Sequence, residues 1–132
     1  MIVHFPIACW SLATLGDLLS IFSRLQLDKS ISIILVIGCA TAILAMIAGF
    51  LESLKISEID KGKIEKALDR HMYLAMTCWC LYLFSLLERW HNGYFVPVST
   101  IGLISSFTGF ILLVFVGKKG GDLVYKYGVG QV

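Results

Sequence analysis

The sequence has few charged residues, only two prolines and almost no excess of either charge. Charged residues make up 15% of its 132 residues, hydrophobic residues make up 58%, and the formal net charge at pH 7 is +2. So small a positive charge gives no electrostatic basis for binding nucleic acid. So few charges also argue against a soluble domain with an ordinary polar surface. The mean hydropathy of +0.83 instead indicates an integral membrane protein in a lipid bilayer.

The first hydrophobic segment lacks the basic residues that precede the apolar core of a signal peptide. It begins at residue 2 and contains Asp17 where such a core stays apolar, so we do not expect it to be cleaved. The four cysteines all lie in apolar segments. Cys78 and Cys80 point about 200° apart on a helix, so they cannot bind one metal ion together. We interpret the cysteines as small packing residues.

Four long apolar segments predict an all-α membrane protein, a four-helix transmembrane bundle with up-down-up-down topology. One span takes about 20 residues, so four spans and short connections form a single domain over residues 1–132. The spans are expected at residues 3–22, 30–54, 67–90 and 95–116. The polar residues 55–66 are expected to form a connector with a short amphipathic turn at the interface. The residues from His91 to Tyr94 predict a tight turn.

Basic residues are divided unequally between the two ends of the predicted bundle. Eight of the eleven lie on the side of the 55–66 connector and both termini, and three lie on the other side. Because cytoplasmic loops carry the excess of lysine and arginine, this bias predicts a multi-pass protein with both termini in the cytoplasm. Trp90, Tyr94 and Phe95 are then expected in the aromatic belt of the opposite membrane face.

A histidine occurs early in the first and in the third predicted span. Ionisable groups inside a membrane are costly and tend to have a function. Each histidine is followed by small residues at i+4 and i+7, on the same face of its helix. Alternatively, either imidazole simply reaches the interface or bonds a backbone carbonyl. The two stripes are His4, Ala8 and Ser11 in the first span, and His71, Ala75 and Cys78 in the third.

The two histidines are expected at similar depth, because the first and third helices of such a bundle are parallel and diagonal. Diagonal axes are roughly 13 Å apart, which separates the imidazoles but leaves room for one iron between them. We therefore predict that His4 and His71 are the axial metal ligands of one haem b, with the small residues leaving space for the macrocycle. Such a haem transfers electrons. Zinc is disfavoured because it requires four close ligands.

Three further residues are predicted to support the haem. Glu52 ends the second span on the same side as both histidines, where it either accepts a hydrogen bond from a ligating imidazole or is solvated. Arg70 and Lys118 lie near the same end and are expected to face the haem propionates. These residues complete the predicted cofactor-binding set.

Asp17 and His91 lie toward the other end of the predicted bundle. Asp17 is expected to form a structural pair with Arg89, His91 or Arg24, and the alternative is a contact with a proton or a quinone. His91 falls in the predicted turn, where it faces water or ligates a second haem across a homodimer.

The two ends of the chain resemble an uncharacterised family of small four-helix bacterial membrane proteins. The shared motifs are MIVHFPIA at the start, a histidine early in helix three, and GGDLVYKYGVGQV at the end. Because some relatives are thought to be b-type cytochromes, the resemblance implies haem ligation by His4 and His71 in the bacterial inner membrane. Tyr127 stands where the family usually has histidine, and the His-Pro often found before the first motif is absent. A second haem within one chain is therefore not expected.

These patterns leave three hypotheses for function. The first is a b-type cytochrome that passes electrons between a quinol and another redox protein, rather than an enzyme with its own substrate. The second is a haem-free membrane anchor or assembly subunit in which the histidines are structural. The third is a small transporter that uses Asp17 and the histidines as a relay, which four short spans make improbable without oligomerisation.

Overall fold

The computed structural model describes residues 3–23, 26–54 and 58–129, without the side chains of residues 58–61 and 63. Within these residues there are four long helices and one short hairpin. The helices are α1 (His4–Phe22), α2 (Asp28–Ser53), α3 (Glu58–Leu87) and α4 (Thr100–Tyr127). The hairpin strands, β1 (Trp90–His91) and β2 (Tyr94–Phe95), join α3 to α4.

Helices α1 and α2 form one antiparallel pair. Gly16 of α1 lies against Ile31, and Gly38 of α2 lies against Trp10 at the other end of the pair. A Cβ at either glycine would come within 2.9 Å of the opposing side chain. The absence of a side chain therefore sets how closely the two helices approach, as is common in membrane proteins.

Helices α3 and α4 form the second antiparallel pair. Tyr82 of α3 lies against Gly109, and His71 lies against Gly120 about three turns further along the helices. In addition, the Cys78 thiol donates a hydrogen bond of 3.3 Å to the Gly109 carbonyl oxygen. Here too, glycines on one helix allow larger side chains of the other to pack against its backbone.

The two pairs assemble with α1 parallel to α3. Thr14 contacts Tyr82, and Asp17 contacts Arg89 further toward the hairpin, so the two helices run in the same direction. The predicted four-helix bundle with up-down-up-down topology is therefore confirmed. The core between the helices contains Trp10, Ala13, Ile31, Leu35, Cys39, Ala42, Cys78, Tyr82 and Leu113.

The outer surface of the bundle is apolar, as a membrane protein requires. Large hydrophobic side chains are exposed along every helix, among them Leu15 on α1, Leu44 on α2 and Ile104 on α4. Helices α1, α2 and α4 are each long and apolar enough to cross a membrane. Helix α3 begins with polar turns, and its uncharged stretch starts at His71.

The predicted connector at residues 55–66 is wrong from residue 58 onward, because α3 begins at Glu58. Residues 55–57 lie outside the described part of the chain. Ile64, which was expected in an interfacial turn, is buried to 7% exposure. Helix α4 likewise extends through the polar tail to Tyr127, where Gly128 in the left-handed conformation ends it. The two helices therefore continue beyond their apolar parts.

The predicted turn between the third and fourth spans is confirmed, but it belongs to a β-hairpin. Asn92 and Gly93 both have positive φ, 48° and 87°, as a type I′ turn requires. Phe95 pairs with Trp90 in this hairpin and is not the start of a helix. Helix α4 instead begins at Thr100, because the Ser99 hydroxyl accepts a 3.0 Å hydrogen bond from the Gly102 N–H.

Candidate functional site

His71 lies on the interior face of α3. It is half-buried and shares this face with the buried residues Cys78, Tyr82 and Ser85. Its ring packs against α4, where a Cβ at Gly120 would be 3.1 Å from Cε1 of the imidazole. Its Nδ1 is enclosed and makes no hydrogen bond of good geometry among the described residues, although the Val116 backbone lies close enough to interact with the imidazole. The stripe of α3 that begins at His71 therefore faces the bundle interior.

His4 lies on the other side of its helix. The buried residues of α1 are Pro6, Trp10, Ala13, Thr14 and Asp17. His4 and Ala8 are exposed, and Ser11 is half-buried. At 100° per residue, these three positions lie on the side of α1 opposite the buried face. The small-residue stripe of α1 therefore faces away from the bundle interior, unlike that of α3.

The predicted equal depth of the two histidines agrees with the packing. Thr14 is level with Tyr82, and His4 precedes Thr14 by ten residues while His71 precedes Tyr82 by eleven. Their side chains nevertheless do not share a facing surface. A haem held between them within one chain requires the first turn of α1 to turn His4 toward α3.

The other residues of the predicted cofactor set lie at the same end of the bundle as His71. Ala75 is half-buried one turn along α3, and Glu52 is half-buried in the last turn of α2. Arg70 and Lys118 are exposed on α3 and α4. Their roles around a haem stay predictions. In the described part of the chain, no group of three or more His, Cys, Asp or Glu side chains could hold a metal ion.

A buried ion pair lies at the opposite, hairpin end of the bundle. Nη2 of Arg89 donates hydrogen bonds of 2.8 and 2.6 Å to the two carboxylate oxygens of Asp17. The side chains are 0% and 2% exposed, respectively. Of the three pairings considered for Asp17, the structure therefore selects Arg89. Both side chains are covered by protein, so bulk water does not compete for either charge and the pair holds α1 to the residue that follows α3.

Buried hydroxyl groups adjoin this ion pair. The Thr14 hydroxyl is 3.0 Å from the Tyr82 hydroxyl and 3.2 Å from the Ser106 hydroxyl, and it also lies 3.0 Å from the Trp10 carbonyl oxygen. The rings of Trp10 and Tyr82 stack with centroids 4.8 Å apart. These contacts join α1, α3 and α4 through polar atoms in the middle of the bundle.

The sequence analysis did not identify this hydroxyl cluster, although its spacing contains a signal. Thr14 and Asp17 are three residues apart, and Tyr82, Ser85 and Arg89 follow one another at intervals of three and four. Such spacing places polar side chains on one face of each helix. Two helices with matching polar faces predict a polar contact inside a membrane bundle.

Comparison with known proteins places the chain in a family. All of its residues, 1–132, match the family described as "Predicted membrane protein (DUF2231)". The chain belongs to this family, whose function is unknown. No curated protein and no solved structure matches the chain. The resemblance noted at the two chain ends is thus confirmed at the level of the family, and the family match gives no activity.

Proposed function

We propose that this member of the DUF2231 family is a b-type haem protein that carries electrons in a membrane, with His71 and His4 as axial ligands. The observation that carries the proposal is the position of His71, an imidazole enclosed on the interior face of a membrane helix at the level of a second histidine. An ionisable side chain inside a membrane bundle is costly and tends to mark a functional role. When bound, haem supplies reversible one-electron chemistry.

The surrounding residues supply what a haem needs from the protein. Glycine at position 120 gives α4 a flat surface beside the imidazole. The basic residues Arg70, Lys118 and Lys119 lie within about one turn of this level on α3 and α4, where they suit propionate groups. A quinol and another redox protein are the natural classes of electron donor and acceptor for such a haem in a membrane.

Replacing either histidine with alanine is expected to remove one axial ligand. The purified protein, expressed with haem available, should show a low-spin reduced-minus-oxidised spectrum. His4→Ala and His71→Ala should each lose the haem or give a high-spin spectrum. His91→Ala is the matched control, because His91 is exposed in β1 at the hairpin end. Retention of a normal low-spin spectrum in both of the first two variants would contradict the assignment.

A haem-free structural subunit is the second candidate, and one observation favours it. The His71 ring already packs against the Gly120 backbone, while His4 faces outward. In a haem-free subunit, His71 would pack between α3 and α4, and both histidines would have structural roles. The same spectrum separates the two candidates, since this one predicts no haem in the wild-type protein.

We further propose that both ends of the chain lie in the cytoplasm of a bacterial inner membrane. Eight of the eleven basic residues lie on that side, and Arg89 on the other side is paired with Asp17. The positive-inside rule counts lysine and arginine whether or not acidic residues lie beside them, so this ratio of eight to three supports the orientation.

Cysteine accessibility should reveal this orientation. With the four native cysteines replaced by serine or alanine, a single cysteine at Asn92 is expected to react with a membrane-impermeant maleimide added to intact cells. A cysteine at Glu65, which is exposed on the first turns of α3, should react only after the membrane is permeabilised. The reverse pattern would place both chain ends outside and leave the bundle unchanged.

A further inference from the structure

Arg89 uses only part of its hydrogen-bonding capacity. Its side chain is 0% exposed, and both contacts to Asp17 are made by Nη2. Nε and Nη1 have no partner among the described residues, and neither does the hydroxyl of Ser85, which is also 0% exposed. Ser85 lies in the last turn of α3, and Arg89 follows four residues later in the turn beyond the helix, where its N–H bonds to the Leu86 carbonyl oxygen.

Three enclosed polar atoms without partners point to a ligand. Buried N–H and O–H groups nearly always have a hydrogen-bond partner, since leaving them unpaired loses their hydration without compensation. Glu88, the acidic residue next to Arg89 in the chain, accepts a 2.8 Å hydrogen bond from the Ser99 hydroxyl, and within the described part of the chain it accepts none from Nε or Nη1 of Arg89. The polar atoms of Arg89 and Ser85 therefore need an acceptor that the described side chains do not provide.

Charge and enclosure restrict what this acceptor can be. Asp17 already neutralises Arg89, so an added anion would leave a net negative charge inside the bundle, which is strongly unfavourable. A lipid headgroup cannot reach Arg89 or Ser85, because both are fully covered by protein. The cleft between α1 and α4, beside Leu18, Phe107 and Thr108, is not lined by either residue. A small neutral molecule that both accepts and donates hydrogen bonds fits these conditions.

We propose that Arg89 and Ser85 form an internal hydration site, in which one or two ordered water molecules bind Nε and Nη1 of the guanidinium group and the Ser85 hydroxyl. Buried waters in proteins typically make about three hydrogen bonds to otherwise unsatisfied groups. The Val96 N–H, just after the hairpin, donates a 2.8 Å hydrogen bond to the Arg89 carbonyl oxygen, so the backbone that carries this side chain is bonded to the segment that leads into α4.

Arginine labelling offers a direct test, because the chain contains only three arginines. Arg24→Lys and Arg70→Lys together leave Arg89 as the single arginine. The full-length protein is labelled with ¹⁵N-arginine and reconstituted into phosphatidylcholine liposomes. Solid-state NMR then measures magnetisation transfer from water to the guanidinium N–H groups. We expect Nε–H and Nη–H signals of Arg89 that receive transfer from water. Resolved signals that receive none would overturn the proposal.

Ser85→Ala tests the contribution of the serine. It removes one ligand of the bound water, so the transfer from water to Arg89 should fall. Ser20→Ala is the matched control, because the Ser20 hydroxyl donates to the Gly16 carbonyl oxygen on α1 and does not depend on bound water. In Ser20→Ala, the magnetisation transfer from water to Arg89 should be the same as in the wild type. Equal transfer in the wild type and in Ser85→Ala would remove Ser85 from the site and overturn the proposal in this form.

Discussion

Arg89→Ala is expected to destabilise the protein by about 3–5 kcal/mol, the range found when one partner of a buried ion pair is removed. The variant leaves the Asp17 carboxylate 2% exposed and without its cation. A bound water molecule carries no charge and cannot replace the guanidinium group, so the carboxyl group must either take up a proton or lose its helix contact. Reversible unfolding in mixed detergent micelles, followed by circular dichroism, measures the change in the free energy of unfolding.

Two controls distinguish an unpaired buried charge from the loss of any salt bridge. Asp17→Leu combined with Arg89→Met replaces the pair with apolar side chains and should recover most of the lost stability. Lys126→Ala breaks the exposed pair in which Nζ lies 2.7 Å from the Asp122 carboxylate, and it should cause no measurable change. A loss for Arg89→Ala no greater than that for Lys126→Ala would show that the pair does not hold the bundle together.

The ion pair explains why the hairpin end is well defined although its strands are short. Arg89 follows the last residues of α3, and its carbonyl oxygen accepts the hydrogen bond from Val96 that closes the hairpin. Its side chain meanwhile bonds α1 through Asp17. One residue therefore joins α1, α3 and the hairpin. A charge at this depth is tolerated because its partner is on a neighbouring helix, which is the usual arrangement for ionisable groups in membrane proteins.

The helices were predictable because membrane spans are recognisable in a sequence from the length and hydropathy of their apolar segments. The turn at Asn92 and Gly93 was also predictable, since few dipeptides suit two positive φ angles in succession. The start of α3 was not predictable, because residues 58–66 are polar and a hydropathy criterion assigns them to a connector. Burial of Ile64 shows that this polar stretch packs as a helix in its own right.

The direction of His4 could not be read from its spacing. Small residues at i+4 and i+7 line a helix–helix contact on α3, but the same spacing on α1 lies on the outer face. In a soluble protein the polar face would have identified the outside. In a membrane protein both faces are apolar, and α1 buries Trp10 while it exposes Leu12 and Leu15. Hydrophobic periodicity therefore finds the helix but not its rotation.

Gly109→Ala is expected to destabilise the bundle, although alanine is the better helix former. The added Cβ would lie 2.9 Å from Cε2 of Tyr82. The Tyr82 ring is 0% exposed, stacks on Trp10 and has its hydroxyl 3.0 Å from that of Thr14, so it cannot move aside without losing these contacts. Overpacking of this kind costs about 1–3 kcal/mol. The free energy of unfolding in mixed micelles again gives the measurement.

Gly117→Ala, two turns further along α4, is the matched control, because it should change the free energy of unfolding in the opposite direction. Apart from the neighbouring backbone of α4 itself, no described atom lies within 4 Å of the Cβ that this change would add. Without a clash, the higher helix propensity of alanine should stabilise the protein by about 0.5–1 kcal/mol. The same glycine-to-alanine substitution in one helix should therefore lower the free energy of unfolding where α4 packs against Tyr82 and raise it where α4 has no neighbour. Equal effects at the two positions would mean that Tyr82 does not contact the α4 backbone as the structure places it.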